Sequence, residues 1–212
     1  MKKYLSKGFT LVELLIVIAL LGVIATIVIA AINPIEQANR AHDSQFKSDS
    51  SQLLSAIERY YVANSKYPWN TANGTTYPNP DTAFGFMAAN DGLVGICFYP
   101  TACATDGNLI SALELKTGFR TRNFISDATT TDGTKRIWIG KASSSSASVY
   151  ACYIPLSKSI RDTACAGNRV WTVNASTGAR TAVGAATCGV ADAWANNIAG
   201  YPGSAWMICV PE

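Results

Sequence analysis

Glu13 is the only charged side chain in the 24 residues from Phe9 to Ile32, and Lys2, Lys3 and Lys7 stand just ahead of that run, with Gly8 between. A carboxylate near a bilayer core costs about 2.5–3.5 kcal/mol on insertion scales, so it calls for a partner. The chemistry open to it is ion pairing with a cation brought to the same depth. A second set of reactive side chains is the six cysteines, Cys97, Cys103, Cys152, Cys165, Cys188 and Cys209, all outside the apolar run. An even count in a domain facing an oxidising compartment reads as disulfides. There is no Cys-x-x-Cys pair, and the lone His42 falls in a helical stretch, so no metal site is expected. No nucleophile elbow, phosphate-binding glycine loop or spaced acidic pair occurs either, so neither a catalytic site nor a cofactor is expected.

The elements that must position these groups begin with the apolar run. As a helix its 24 residues would reach about 36 Å, enough to cross a hydrocarbon core of about 30 Å. The preceding lysines favour keeping the N-terminal end in the cytoplasm. A secretory signal cut after Val28-Ile29-Ala30 would have an apolar region far longer than the usual one, of about 7–15 residues. A plain anchor leaves Glu13 unexplained. Asn33-Pro34 should bend or loosen the helix, because proline removes one backbone hydrogen bond, and Gly22 is a second weak point.

From 35 to 63, Phe46, Leu53, Leu54, Ile57, Tyr60 and Tyr61 recur at helical spacing as one apolar face. Arg40, Asp43, Lys47, Asp49, Glu58 and Arg59 read as the solvated side, and His42 as an exposed helix residue. Asn64 is the expected C-cap, and Pro68 stops the helix. About 145 residues then follow with no linker or repeat, enough for a single core. Segment 70–90 reads as a long surface loop, and Thr129–Thr131 and Ser143–Ser146 as small polar loops. Strands are expected over 93–99, 136–141, 148–156, 168–174 and 206–210, with a short helix over 109–115. One long helix followed by several strands predicts an α+β fold, an antiparallel sheet packed on the amphipathic half of the N-terminal helix. Trp69, Trp138, Trp171, Trp194 and Trp206 are read mostly as core.

Lys7-Gly8-Phe9-Thr10-Leu11-Val12-Glu13-Leu14-Leu15 resembles the N-terminal signal of bacterial type IV pilins and type II secretion pseudopilins. The resemblance is close from Lys7 to about Ala31 and weaker through the following helix. It implies cleavage by a prepilin peptidase between Gly8 and Phe9, and N-methylation of Phe9. It also divides the chain into a leader at 1–8, a transmembrane and assembly helix at 9–34, an amphipathic continuation at 35–64 and a disulfide-bearing globular domain at 65–212. Gly22 sits where these proteins commonly carry a glycine, while Pro34 falls about one turn later than their usual proline. Those two are the expected helix-melting positions. Asn64-Ser65-Lys66-Tyr67-Pro68 is similar to the Asn-x-x-Tyr-Pro close of the helix in several of these families.

Cutting after Gly8 would place a positive α-amine on Phe9, and Glu13, four residues on, faces the same side of the helix. In a packed bundle the Glu13 of one subunit could neutralise the Phe9 amine of its neighbour, which makes the two an assembly pair. The full chain has 17 basic and 14 acidic residues. Without the three leader lysines the two signs balance, so the basic precursor is no sign of a nucleic-acid partner.

Six cysteines allow 15 pairings. Short loops close most readily, which favours Cys97 with Cys103, Cys152 with Cys165 and Cys188 with Cys209. The last resembles the C-terminal disulfide of many type IV pilins.

The leading functional expectation is a structural pilin of a type IV pilus-like filament. Its partners would be identical subunits, the peptidase, an inner-membrane assembly platform and, before assembly, the membrane itself. Its domain would face outward, in an extracellular filament or a periplasmic pseudopilus. The alternatives are a type II secretion pseudopilin that pushes exported proteins, and a minor adhesive or DNA-binding pilin. Glu13 argues against a tip-most subunit, which has no neighbour above it to pair with. Arg120-Thr121-Arg122-Asn123-Phe124 is the nearest thing to a nucleic-acid patch and reads as a solvated loop. Asp127 and Asp132 flank a polar loop of the kind that holds calcium in some pseudopilins, but no calcium-ligand run accompanies them. Asn73-Gly74-Thr75 and Asn174-Ala175-Ser176 match the glycosylation acceptor pattern, which is common by chance.

Overall fold

A computed structural model describes residues 8–31, 33–70, 84–98, 103–126, 132–142, 147–188, 194 and 205–211. The chain divides into two compact units, Met1–Ala38 and Asn39–Glu212. Helix α1 spans Leu11–Ala31 and α2 spans Pro34–Asn64. One helix merely loosened at Pro34 is therefore not what forms: α1 stops and α2 starts afresh. Asn33 caps the new helix, its Oδ1 accepting from the Glu36 N–H at 3.2 Å. Pro34 occupies the first helical position, where a missing N–H costs nothing. Gly22 lies inside an unbroken α1. At the far end the Asn64 side chain donates to the Tyr60 carbonyl at 2.9 Å, and Ser65 turns left-handed at φ +53°.

The stripe on α2 buries Phe46, Leu53, Leu54 and Ile57, while Tyr61 stays partly exposed and stacks on Tyr67, ring centroids 4.4 Å apart. Asp43 and Asp49, expected on the solvated side, are buried. Each has a partner that the helical pattern alone could not reveal. Asp43 accepts from the backbone N–H groups of Leu156 and Ser157, both at 2.9 Å. Asp49 pairs with Arg122 at 3.3 Å; burial pushes its carboxyl up, and the guanidinium offsets part of that rise. His42 is half-buried rather than exposed, its ring 4.1 Å from that of Phe46.

The sheet facing α2 has four antiparallel strands, β1 Phe84–Ala88, β2 Ile137–Lys141, β3 Tyr150–Tyr153 and β6 Ile208–Val210, in the order β1-β2-β3-β6. Successive strand side chains alternate faces, so Tyr150 and Tyr153 point oppositely. Tyr153 meets Phe46 of α2 edge-on at 6.1 Å. Tyr150 meets the hairpin of β4 Trp171–Val173 and β5 Arg180–Ala182, donating to the Gly178 carbonyl at 2.7 Å. That hairpin is anchored at both ends. Trp171 exchanges backbone hydrogen bonds with Met207 at 2.9 and 3.0 Å, and the Ala175 carbonyl accepts from Phe86 of β1 at 3.0 Å. Arg180 of β5 lies over the rings of Tyr150 and Trp171, at 4.6 and 5.0 Å. Gly178 has φ +62°, and a Cβ there would sit 2.5 Å from the Lys141 carbonyl, so the docked tip requires glycine.

Two of the three expected disulfides differ. Cys97 is joined to Cys103, but Cys152 is bonded to Cys209 and Cys165 to Cys188. Strands β3 and β6 are neighbours although 57 residues separate their cysteines, and register sets Cys152 directly opposite Cys209, Cα atoms 4.0 Å apart. Cys165, on α5 (Lys158–Ala166), is then left for Cys188, on α6 (Ala185–Cys188). Sequence proximity yields to sheet order.

Other departures are local. Strand β1 lies inside the expected loop, and the described part of the expected strand, 93–98, is none: a short 3-10 helix, Gly92–Val94, is capped by Asp91, and Cys97 makes one isolated bridge to Asp106. The expected helix over 109–115 is the single turn α3, Asn108–Ser111. Arg120 to Phe124 is not a solvated loop. It spans the end of a 3-10 helix and the start of α4, Asn123–Ser126, with Phe124 buried. Trp69, Trp138, Trp194 and Trp206 are core; Trp171 is half-buried. Asp132 caps a short turn by accepting from the Thr134 N–H at 3.0 Å. Asp127, Thr129–Thr131, Ser143–Ser146 and Asn73-Gly74-Thr75 lie outside the described residues.

Candidate functional site

The start of α1 is the site to which the apolar run directs attention. Thr10 stands at the N-cap and Glu13 three residues on, the spacing of a capping box. The Glu13 carboxylate accepts from the Thr10 backbone N–H at 2.9 Å and from its hydroxyl at 2.8 Å. The Thr10 hydroxyl accepts in return from the Glu13 N–H at 3.2 Å. A helix begins with unsatisfied N–H groups and a partial positive charge, and this arrangement answers both. The sequence carries the signal as Thr-x-x-Glu, which reading Glu13 only as a displaced charge overlooks.

Beyond the cap, the segment Leu11–Ile29 is long and apolar enough to cross a membrane, and none of it is buried by the rest of the chain. Phe9 is 83% exposed. The 19 residues of Leu11–Ile29 therefore leave their apolar surface to something outside the subunit, whether lipid or other helices. Gly8 and Phe9 precede the first helical residue and are exposed in non-helical backbone. The structure brings Glu13 to Thr10. It leaves Phe9 beside them, and Gly22 and Pro34 along and after the same helix.

The remaining expected groups are engaged elsewhere. Arg120 pairs with Asp106 at 3.1 Å and Arg122 with Asp49, so the basic stretch at 120–124 is tied into the domain. Asn174 closes the β4–β5 turn, its side-chain oxygen accepting from the N–H groups of Ser176 and Thr177 at 3.0 Å each. Among the described residues no group of three or more His, Cys, Asp or Glu side chains is placed to hold a metal.

An apolar N-terminal helix with a capped glutamate at its start, ahead of an α+β domain, defines the pilin-like class of subunit. Residues 4–29 match the prokaryotic N-terminal methylation motif. The type IV major fimbrial protein FimA of Dichelobacter nodosus is 35% identical over 115 residues, covering 51% of this chain and 72% of that protein. The type II secretion system core protein G of Klebsiella michiganensis is 34% identical over 68 residues, 32% of this chain and 46% of that one. The type IV major pilin protein PilE1 of Neisseria gonorrhoeae is 37% identical over 78 residues, 36% and 46% of the two chains. The match to the last two thus spans less than half of their length. No solved structure matches the chain. The chain belongs to the family of type IV pilins and type II secretion pseudopilins.

Proposed function

We propose that this chain is a structural subunit, not an enzyme, of a type IV pilus-like filament. It is cut after Gly8 by a prepilin peptidase, methylated on Phe9 and polymerised through α1. The observation that carries this reading is an apolar helix exposed from Leu11 to Ile29, with a carboxylate fixed at its first turn. Cleavage turns Phe9 into a chain terminus with a positive amine. In the subunit Glu13 is satisfied by Thr10; between packed helices it exchanges that partner for the Phe9 amine of a neighbour, and in an apolar bundle a charge pair of that kind selects one register. The subunit waits in the inner membrane with its domain outside the cytoplasm, then leaves the membrane as the assembly platform adds it to the filament. Gly22 within α1, and Pro34 at the start of α2, belong to this reading as the positions where the helical segment would yield during extraction.

A second reading is a type II secretion pseudopilin, favoured by the similarity to core protein G. It uses the same helix and the same Glu13, and differs in the machine that polymerises it.

The test is co-expression of the full chain with a prepilin peptidase and a complete assembly system, with mass spectrometry of the mature N-terminus. The expected product begins at Phe9 and carries one methyl group. Gly8→Ala should be cut poorly; Glu13→Ala should be cut yet stay out of filaments. An N-terminus at Ala31, or an intact Met1 in the wild type, would make the chain a secreted or anchored domain and sink the filament reading.

A further inference from the structure

Leu113 is a large apolar side chain that the subunit leaves in water. It is 90% exposed, and its backbone sits at φ +63°, the left-handed region that bulky side chains avoid. It directly follows Ala112, the C-cap of α3, and so takes the place that glycine holds at most such helix ends. The turn around it is fixed. The Leu113 N–H donates to the Ile110 carbonyl at 2.9 Å, and the N–H groups of Glu114 and Leu115 both reach the Leu109 carbonyl, at 2.9 and 3.1 Å. From α2, Arg59 donates to the Glu114 carboxylate and to its backbone carbonyl, each at 2.8 Å. A rigid, doubly clamped turn thus holds a leucine outward in a conformation that costs folding energy, and the side chain recovers nothing inside the subunit. Val62 is 81% exposed and lies three residues beyond Arg59 on α2, a second apolar side chain on the same side of the helix as the clamp.

We propose that Leu113, with Val62, is a knob through which one copy of this chain contacts the next in the filament. The inference rests on the filament reading above and adds a contact made by the globular domain. Area decides the occupant. Two aliphatic side chains present on the order of 300 Å², whereas a specific complex between soluble proteins buries about 1,200–2,000 Å². A free partner could not be retained by so small a surface. A second copy, already placed by the packing of α1, needs no more. Such a contact is heterologous, knob on one copy and receiving surface on the other, as an open helical assembly requires.

Substituting Leu113 in the full chain separates a role in assembly from one in folding. Leu113→Gly relieves the backbone strain, so the detergent-extracted subunit should unfold at the same temperature as the wild type or higher. The yield of sheared filaments should nevertheless fall at least ten-fold, and Leu113→Met should restore it. A photo-crosslinking residue at position 113 should join subunit to subunit in filaments. Undiminished filaments from Leu113→Gly, a cross-link to a different protein, or a drop in unfolding temperature together with yield would each overturn the knob. The filament reading is scored on the wild type alone: no wild-type filament would end both proposals, while a wild-type filament that Leu113→Gly leaves intact would end only this one.

Discussion

Asp43 and Glu13 are both carboxylates on helices, and their surroundings give them opposite work. Glu13 closes the exposed first turn of α1, and in the proposed filament it would meet a charge that arrives later. Asp43 is fully buried and committed, both oxygens accepting from the backbone where the chain leaves β3 for α5. Replacing Asp43 by Ala would leave two buried N–H groups without an acceptor, and should cost about 3 kcal/mol by chemical denaturation of the full chain in detergent. Asp43→Asn keeps one acceptor oxygen and should fall between. An unchanged midpoint for Asp43→Ala would show the two N–H groups to be otherwise satisfied. Glu13 was legible in the sequence because a charge inside an apolar run stands out in one dimension. Asp43 was not, because a charged residue on a mixed helix looks solvated until the partner 113 residues away is in place.

At the scale of elements, the apolar stripe of α2 and strands β2 and β3 were legible from periodicity and β-branched or aromatic content. Strand β1 was not: Phe84-Gly85-Phe86-Met87-Ala88 is short, carries a glycine and follows a Pro- and Asn-rich stretch that reads as loop. It becomes a strand because β2 offers it a partner along one side and the Ala175 carbonyl along the other. The cysteine pairing failed for a related reason, since loop length says nothing about which strands are neighbours. Two of the resulting bridges can be ranked. Cys152 to Cys209 spans 57 residues and Cys165 to Cys188 spans 23. By loop-closure entropy, losing the longer one costs about 0.8 kcal/mol more. Double Cys→Ser variants should therefore order Cys152/Cys209 as the less stable of the two. Peptide mapping under non-reducing conditions should recover the same two links, and recovery of Cys152 with Cys165 would reject this strand pairing.

For the whole molecule, removal of the proposed leader would act electrostatically as well as topologically. The precursor carries a formal charge of +3, and the segment ahead of Phe9 contributes three lysines and no acid. Cleavage after Gly8 would leave 14 basic and 14 acidic side chains. Isoelectric focusing should show a clear acidic shift on processing in the wild type and none in an uncut Gly8→Ala chain. A chain near neutrality lacks the self-repulsion that keeps like molecules apart, which suits a subunit meant to meet its own copies. That balance was open to counting, whereas the layering of hairpin, sheet and α2 was not, because it depends on which face each tyrosine of β3 presents.

The bolt between α2 and the end of β3 has a mechanical consequence. Tension entering the domain along α2 first meets Asn39 and Asp43, which hold Leu156 and Ser157. From there it passes into β3 and across a covalent bond into β6. Further along α2, Asp49 holds Arg122 and Arg59 holds Glu114, so load that passes the first bolt meets two more ties between the same helix and the domain.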